Sequence, residues 1–272
     1  MKTILVPTED HDAMPAVLEA ARLIAQRFDG YMEGFAVRPS LGTYVTVEPV
    51  SSLAISGAYE ADIAPQARAQ FEAFMQAHAV PKLAVEPPVY SWGWPFAEAA
   101  DDSFIGNRGR VFDLIALGRP GPDAQNPRMA PLQTALFDSG RPVLIVPKTV
   151  PQTIGRNVLV AWNRSTQQAR TNAFALPLLR MAEAVTVLTV EGGPMIGPSG
   201  EEAALHLRRN GVKATALTVN PGDRTGGEAS GEITLEQAAS LGCDLLVKSA
   251  YTQSRLRQMI FGGATRHILA NA

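Results

Sequence analysis

The sequence predicts two α/β domains in tandem, each a parallel β-sheet with helices on both faces. The halves begin alike, because Lys2–Asp10 (KTILVPTED) and Arg156–Arg164 (RNVLVAWNR) are apolar runs that end in polar residues and lead into helical patterns. They match again where Asp113–Gly118 (DLIALG) corresponds to Asp244–Ser249 (DLLVKS). A repeated plan indicates a duplicated domain, and alternating strands and helices favour parallel sheets.

The first half contains five predicted strands and four predicted helices. Apolar residues of the first helix recur on one face, at Val17, Ala21, Ile24 and Ala25. Leu114–Leu117 is wholly apolar, as in a buried parallel strand. In chain order we expect strand 4–6, helix 12–28, strand 31–37, helix 66–78, strand 83–89, helix 95–109, strand 114–117, a helix between Pro131 and Gly140, and strand 141–147.

The second half repeats this order without a fifth strand. We expect strand 158–161, helix 165–182, strand 185–190, helix 200–210, strand 213–219, helix 233–241, strand 244–247 and helix 263–270. Ser165 and Gln168 have the spacing of a capping box. Because an unpaired sheet edge promotes aggregation, we expect either a longer natural chain or a strand supplied by a partner.

These patterns predict domains at 1–148 and 156–272, joined by a linker at 149–155. The first domain has an extra segment, 40–65, with apolar residues among Gly, Ser and Pro. We expect a loop that folds over its own domain. The alternative is a lid or a partner-binding flap.

Composition excludes several classes of function. The 272 residues are 46% hydrophobic and 18% charged, enough for two buried cores. A net charge of −2 without a basic run argues against nucleic acid as a partner. The first apolar run is too short for a signal peptide, and one cysteine, Cys243, excludes an internal disulfide. We expect a cytoplasmic protein that does not bind membranes.

Ligands of parallel α/β sheets bind beyond the carboxyl ends of the strands, where helix N-termini present N–H groups to anions. Four turns lie there: 7–12, 118–131, 162–165 and 249–265. The last reads SAYTQSRLRQMIFGGAT and resembles the universal stress protein family. ATP-binding members of that family carry Gly, two residues, Gly, nine residues, then Gly and Ser or Thr, wrapped around the triphosphate. This chain has Ser249, Thr252, Gly262 and Gly263 at those positions.

The first half keeps a different part of this signature. Gly118 and Gly121 match the opening glycines, but Pro131, which has no N–H, occupies the third position. In the second half, Gly262 and Gly263 can bring N–H groups to a phosphate.

Other second-half residues affect the same predicted site. Thr265 can add a hydroxyl, whereas Ser249 and Thr252 introduce Cβ atoms where glycine would allow close approach. Arg255 and Arg257 either supply charge or form a solvated surface pair.

The resemblance also implies an acidic residue after the first strand, and Glu9 and Asn163 occupy that position. Glu9 could hold a metal-linked phosphate, whereas Asn163 can only form hydrogen bonds. Mg²⁺ is expected only together with ATP. By resemblance, Val37 and Val190 lie against adenine, although a valine there is equally an ordinary core residue.

Two further clusters suggest alternatives. The run from Glu9 to Asp12 (EDHD) is either a metal site or, as we favour, a polar helix cap. Trp92 and Trp94 could stack on a flat ring, although packing is the favoured role. Neither a GxxxxGK[ST] loop nor a GxGxxG motif is present, so no enzymatic chemistry is predicted.

The resemblance thus implies a tandem universal stress protein with two flavodoxin-like, adenine nucleotide alpha hydrolase-like domains. Its halves are expected to form an intramolecular pseudo-dimer, with a homodimer of whole chains also possible. We expect a non-catalytic stress-response module that binds ATP or another adenine nucleotide in its second domain. The alternatives are a nucleotide-free module that binds an unknown protein partner, or a slow ATP hydrolase in which Glu9 orients water.

Overall fold

The fold is seen in a computed structural model, which describes residues 1–39, 53–83, 89–193, 195–250 and 262–272, with only the backbone of 53–61. The chain divides into two compact units, Met1–Pro151 and Gln152–Ala272. Each unit contains one parallel sheet flanked by helices, five-stranded in the first and four-stranded in the second. The predicted fold class is therefore confirmed.

The first unit has strand order β3-β2-β1-β4-β5. Parallel register joins β1 to β2 and to β4, so β1 lies at the centre of the sheet. The elements are β1 Thr3–Thr8, α1 Met14–Phe28, β2 Tyr31–Ala36, α2 Leu53–Ala77, β3 Ser91–Gly93, α3 Asp102–Gly109, β4 Leu114–Gly118, α4 Met129–Asp138 and β5 Val143–Val146.

The second unit has strand order β8-β7-β6-β9, which repeats the first sheet without its last strand. The register pairs Val160 with Val187 on β7 and with Val247 on β9. The elements are β6 Asn157–Ala161, α5 Thr166–Arg180, β7 Ala184–Val190, α6 Gly200–Arg209, β8 Ala214–Val219, α7 Gly226–Ser240, β9 Leu245–Val247 and α8 Gly263–Asn271.

Each core follows from the apolar periodicity of the sequence. In the first unit, Ile4, Leu5 and Val6 of β1 are fully buried, as is the predicted apolar face of α1. In the second unit, Val158 and Val160 of β6 pack in one cluster with residues of α6 such as Leu207. Alternate strand residues that face one side of a sheet thus build the layer on which a helix packs.

The third strand of the first sheet lies later in the chain than predicted. Residues 84–88 of the predicted strand 83–89 lie outside the described residues, and the strand that pairs with β2 is Ser91–Gly93. Pro87 and Pro88 carry no N–H to donate to a sheet. Trp92 instead provides the buried side chain of this edge strand.

Helix α2 corrects the prediction for the extra segment. The helix begins at Leu53 and continues through Pro65 to Ala77, so the later part of segment 40–65 is helical. Residues 40–52 lie outside the described residues. The run from Leu53 to Ala64 is rich in alanine, the strongest helix former, and the helix continues through Pro65.

Two other helices begin elsewhere than predicted. Helix α3 starts at Asp102 rather than near Pro95, because the side chain of Asp101 caps it by accepting a hydrogen bond from the N–H of Ser103. Helix α7 starts at Gly226 rather than at Ile233. Its glycines disfavour a helix in isolation, but they allow close packing against α8, and this packing outweighs the low propensity.

No helix in the described part of the chain is both long and apolar enough to cross a membrane.

Candidate functional site

In each sheet, the strand order places the carboxyl ends of two neighbouring strands side by side. These are the ends of β1 and β4 in the first unit, and of β6 and β9 in the second. We name them the first edge, residues 8–12 and 118–131, and the second edge, residues 161–168, 248–250 and 262–265. The described residues of the four turns predicted to bear ligand-binding residues lie at these two edges.

At the first edge, Glu9 is bound by an arginine of its own unit. Arg128, which precedes α4, donates from Nε to Glu9 Oε1 at 2.9 Å, and its Nη2 also contacts that oxygen. The same guanidinium forms two hydrogen bonds with Asp102, of 3.1 and 2.7 Å. Glu9 is therefore one of two carboxylates that share a single cation.

Burial determines the electrostatics of this group. It raises the pKa of Glu9, and the charge and hydrogen bonds of Arg128 offset this only in part. For Arg128, burial lowers the pKa, but bonds and charges of Asp102 and Glu9 outweigh it and raise the pKa overall. The carboxylate predicted to face a metal-linked phosphate is thus tied into a buried ion pair.

The loop after β4 closes on itself. A Cβ atom at Gly118 would lie 2.4 Å from Cγ of Pro127, and one at Gly121 would lie 2.1 Å from Oδ1 of Asn126. The N–H of Gly121 donates to the carbonyl of Pro127 at 3.3 Å. Both glycines therefore approach protein atoms of their own loop, and the close approach that glycine permits is used inside the fold.

The run from Glu9 to Asp12 neither caps α1 nor converges on a metal. The N-cap residue of α1 is Ala13, which has no capping side chain. Asp12 lies 3.0 Å from Nζ of Lys148, and this hydrogen bond lowers the pKa of Asp12. In the described part of the chain, no group of three His, Cys, Asp or Glu side chains is arranged to hold a metal ion.

At the second edge, Asn163 supports the turn into α5. Its Oδ1 accepts hydrogen bonds from the N–H and the hydroxyl of Ser165, at 3.1 and 2.7 Å. Between them, Arg164 adopts the left-handed conformation with φ of 66°. Its Nε is buried and has no hydrogen-bond partner among the described residues.

Only one of the two hydrogen bonds of the predicted capping box of α5 forms. Ser165 Oγ accepts from the N–H of Gln168 at 3.1 Å, as predicted. The fully buried Gln168 side chain, however, accepts from the N–H of Ser249 at 2.7 Å and donates to Asn172 at 2.8 Å. Gln168 thereby fixes the chain that leaves β9, while the hydroxyl of Ser249 stays buried without a described partner.

Lys248 lies beside this serine and was not predicted as a site residue. Its Nζ donates to Oγ1 of Thr265 at 2.9 Å and to the carbonyl of Ser249 at 3.1 Å. Burial lowers the pKa of Lys248 to about 8. No carboxylate of the described residues forms an ion pair with it. The ammonium group therefore lies at the first turn of α8, and its partners among the described residues are neutral.

The N-termini of α7 and α8 meet at this edge. A Cβ atom at Gly263 would lie 3.0 Å from the backbone N of Glu228, and one at Gly227 would lie 3.1 Å from the backbone N of Ala264. Neither helix has a side-chain cap, because the N-cap residues Thr225 and Gly262 make no such bond. Two uncapped helix N-termini concentrate N–H groups and positive partial charge in one place.

The remaining predicted site residues differ in burial and contacts, and two of them lie outside the described residues. Val37 is buried and forms an isolated bridge with Ala100, whereas Val190, the last residue of β7, is partly exposed. Trp92 and Trp94 pack against Phe71, with ring centroids 5.8 and 5.3 Å away, as the packing interpretation expects. Thr252 and Arg255 lie outside the described residues.

Sequence reasoning missed three residues that shape the edges. Lys248 had a visible signal, a lone charge after the apolar run Leu245–Val247. Gln168 was assigned to a cap instead of to Ser249. Arg128 gave no signal, because its partners Glu9 and Asp102 are distant in sequence and meet only in the fold.

The fold and its edges define a tandem of two flavodoxin-like domains, and known structures share this plan. A universal stress protein from Archaeoglobus fulgidus DSM 4304 is similar, with a TM-score of 0.66, 14% identity, and coverage of 99% of this chain and 93% of that one. A functionally unknown protein from Pseudomonas aeruginosa PAO1 has a TM-score of 0.51 and 15% identity, over 99% of this chain and 89% of that one. At these identities the likeness confirms the universal stress protein fold. No family model and no curated protein sequence matches the chain.

Proposed function

We propose that this chain is a tandem universal stress protein whose second edge binds the phosphates of ATP or another adenine nucleotide. The observation that carries the proposal is the meeting of two uncapped helix N-termini, at Gly227 and Gly263, beside the ammonium of Lys248. Such a cluster of donors and positive charge suits an anion. The orphaned hydroxyl of Ser249 is a further donor with no described protein partner.

The residues of the second edge suit a phosphate group, although they match the glycine signature of the family only in part. No described atom lies within 4 Å of the Cβ position of Gly262, so on the described side a ligand atom can approach it closely. Thr265 lies in the first turn of α8 and holds Lys248 through its hydroxyl. When bound, an adenine nucleotide would supply the negative charge that this group of donors lacks.

The first edge favours a second function for its own unit. Its loop bonds to itself and its acidic residue is bound by Arg128, so the first unit is proposed to act without a nucleotide, through contacts with a protein partner. The same ion pair argues against hydrolysis, since Glu9 accepts hydrogen bonds from Arg128 and is not free to orient water. We therefore propose a binding module and no ATP turnover.

Isothermal titration of the whole chain with ATP tests this proposal. We expect one site per chain. Thr265→Ala should weaken binding, whereas Thr134→Ala, the counterpart in α4, should leave the affinity unchanged. Circular dichroism of both variants checks that each is folded. Two sites per chain, no binding, or loss of binding only in Thr134→Ala would contradict the proposal. ATP turnover that falls in Glu9→Gln would instead support the hydrolase alternative.

A further inference from the structure

Lys248 is a charged group for which the described residues provide no counter-ion. Its described partners are the hydroxyl of Thr265 and the carbonyl of Ser249, both neutral. The segment 251–261, which follows it in the chain, contains neither Asp nor Glu. Because a buried ammonium is costly unless it is paired, this position suits a ligand that brings negative charge.

The other groups packed around Lys248 do not supply that charge. From α5, Gln168 is a neutral amide that holds the backbone of Ser249. From α7, Glu228 has a side chain that is 85% exposed and lies 3.8 Å from His267 of α8. The nearby helix ends add only N–H groups. The surroundings of Lys248 are thus neutral or positive on the side of the two helix N-termini.

The second edge also lacks the carboxylate that would hold a divalent metal beside a phosphate. Asn163 occupies that position after β6, and its oxygen accepts two hydrogen bonds from Ser165. Mg²⁺ prefers carboxylate, phosphate and water oxygens, and this amide oxygen is already engaged. Positive charge at this edge is instead built into the protein, on Lys248 beside the helix N-termini and on Arg164 in the turn after β6.

We infer that Lys248 is the counter-cation of the second edge, and that this edge holds the phosphates of its nucleotide without a divalent metal. The inference rests on the proposed function and specifies how that site neutralises its ligand. Lys248 contacts the phosphate directly and selects phosphorylated ligands over the bare nucleoside. A charge-assisted hydrogen bond of this kind contributes a large share of the affinity for an anion.

The test is isothermal titration with ATP, and separately with adenosine, in EDTA and in Mg²⁺. The wild-type chain should bind ATP equally well in both media. Lys248→Met keeps the length of the side chain and removes its charge, so ATP affinity should fall roughly 10- to 100-fold. Adenosine affinity should be unchanged. The matched control is Lys213→Met, which removes an exposed lysine of the same unit and should bind as the wild type does.

The outcomes separate the inference from the proposed function. If the wild type binds ATP only with Mg²⁺, or if Lys248→Met binds ATP as tightly as the wild type, the inference is wrong and the nucleotide site remains. If the wild type binds ATP in neither medium, both are wrong. The comparison of EDTA with Mg²⁺ needs no variant, and a thermal melt of Lys248→Met establishes that the variant is folded.

Discussion

The two carboxyl edges of this chain share one strand plan but differ in their charged groups. The first edge buries two carboxylates, Glu9 and Asp102, around one arginine. The second edge holds a partly buried lysine, whose described partners are neutral, beside two exposed and uncapped helix ends. The first group pairs its charges within the protein, whereas no described carboxylate pairs with the lysine of the second. This difference supports the proposal that only the second copy of the fold binds a ligand.

The largest loss of stability is expected when the ion pairs of Arg128 with Glu9 and Asp102 are broken. Arg128→Met would remove the cation that Glu9 contacts and one partner of Asp102, and removing one partner of a buried ion pair costs up to about 3–5 kcal/mol. We expect this loss in the free energy of unfolding of the first unit. Denaturation followed by Trp92 and Trp94 fluorescence, in a Trp162→Phe background, measures it.

Lys148→Met provides the control for Arg128→Met. It removes an ion pair with Asp12 in which the lysine side chain is 72% exposed. Exposed pairs contribute about 0–1 kcal/mol. A loss in Lys148→Met as large as that in Arg128→Met would show that the first edge does not depend on the buried group.

The second edge should respond in the opposite direction. Without ligand, Lys248→Met should raise the free energy of unfolding of the second unit at pH 7 by about 2 kcal/mol, since it removes a desolvated charge but also two hydrogen bonds. Urea denaturation followed by Trp162, in a Trp92→Phe and Trp94→Phe background, checks this. A loss of stability would mean that the ammonium is already satisfied within the fold.

The same lysine predicts a pH dependence. Burial lowers its pKa to about 8, below the ordinary 10.5, so between these values the unfolded chain binds more protons than the folded one. Stability of the second unit should therefore rise as pH increases from about 8 to 10.5. Below pH 8 the cost of burial is fully present, and above 10.5 it is absent. In Lys248→Met this rise should disappear.

A smaller effect should come from the contact of the two helix ends. In Gly263→Ala the new Cβ would lie 3.0 Å from the backbone N of Glu228, which cannot move freely. We expect a loss of roughly 1–3 kcal/mol, the usual cost of overpacking. Gly262→Ala is the control, because no described atom lies within 4 Å of its Cβ position. Equal melting temperatures for the two variants would contradict the close approach of α7 and α8.

Periodicity and apolar runs predicted most of the framework. β1, β4, β6 and β7 could be located because their side chains are buried on a regular pattern. The exceptions depend on tertiary packing. The glycine-rich start of α7 is helical because α8 lies against it, and β3 is located by its pairing with β2.

The candidate site was less predictable because its decisive contacts join distant segments. Gly262 and Gly263 were identified as a phosphate-binding end, and the structure places them at the start of α8. The pairing of Arg128 with Glu9, and the turn of Gln168 toward Ser249, depend on strand order and could not be derived from spacing. Lys248 appears in the sequence as a charge, but only its burial gives that charge a role.

Hydrogen exchange with and without ATP tests the contrast between the edges most directly. We expect slower amide exchange in 226–231 and 262–268, where the two helices begin, and no change in 118–131. Slower exchange in 118–131, or unchanged exchange at both edges under saturating ATP, would contradict this expectation.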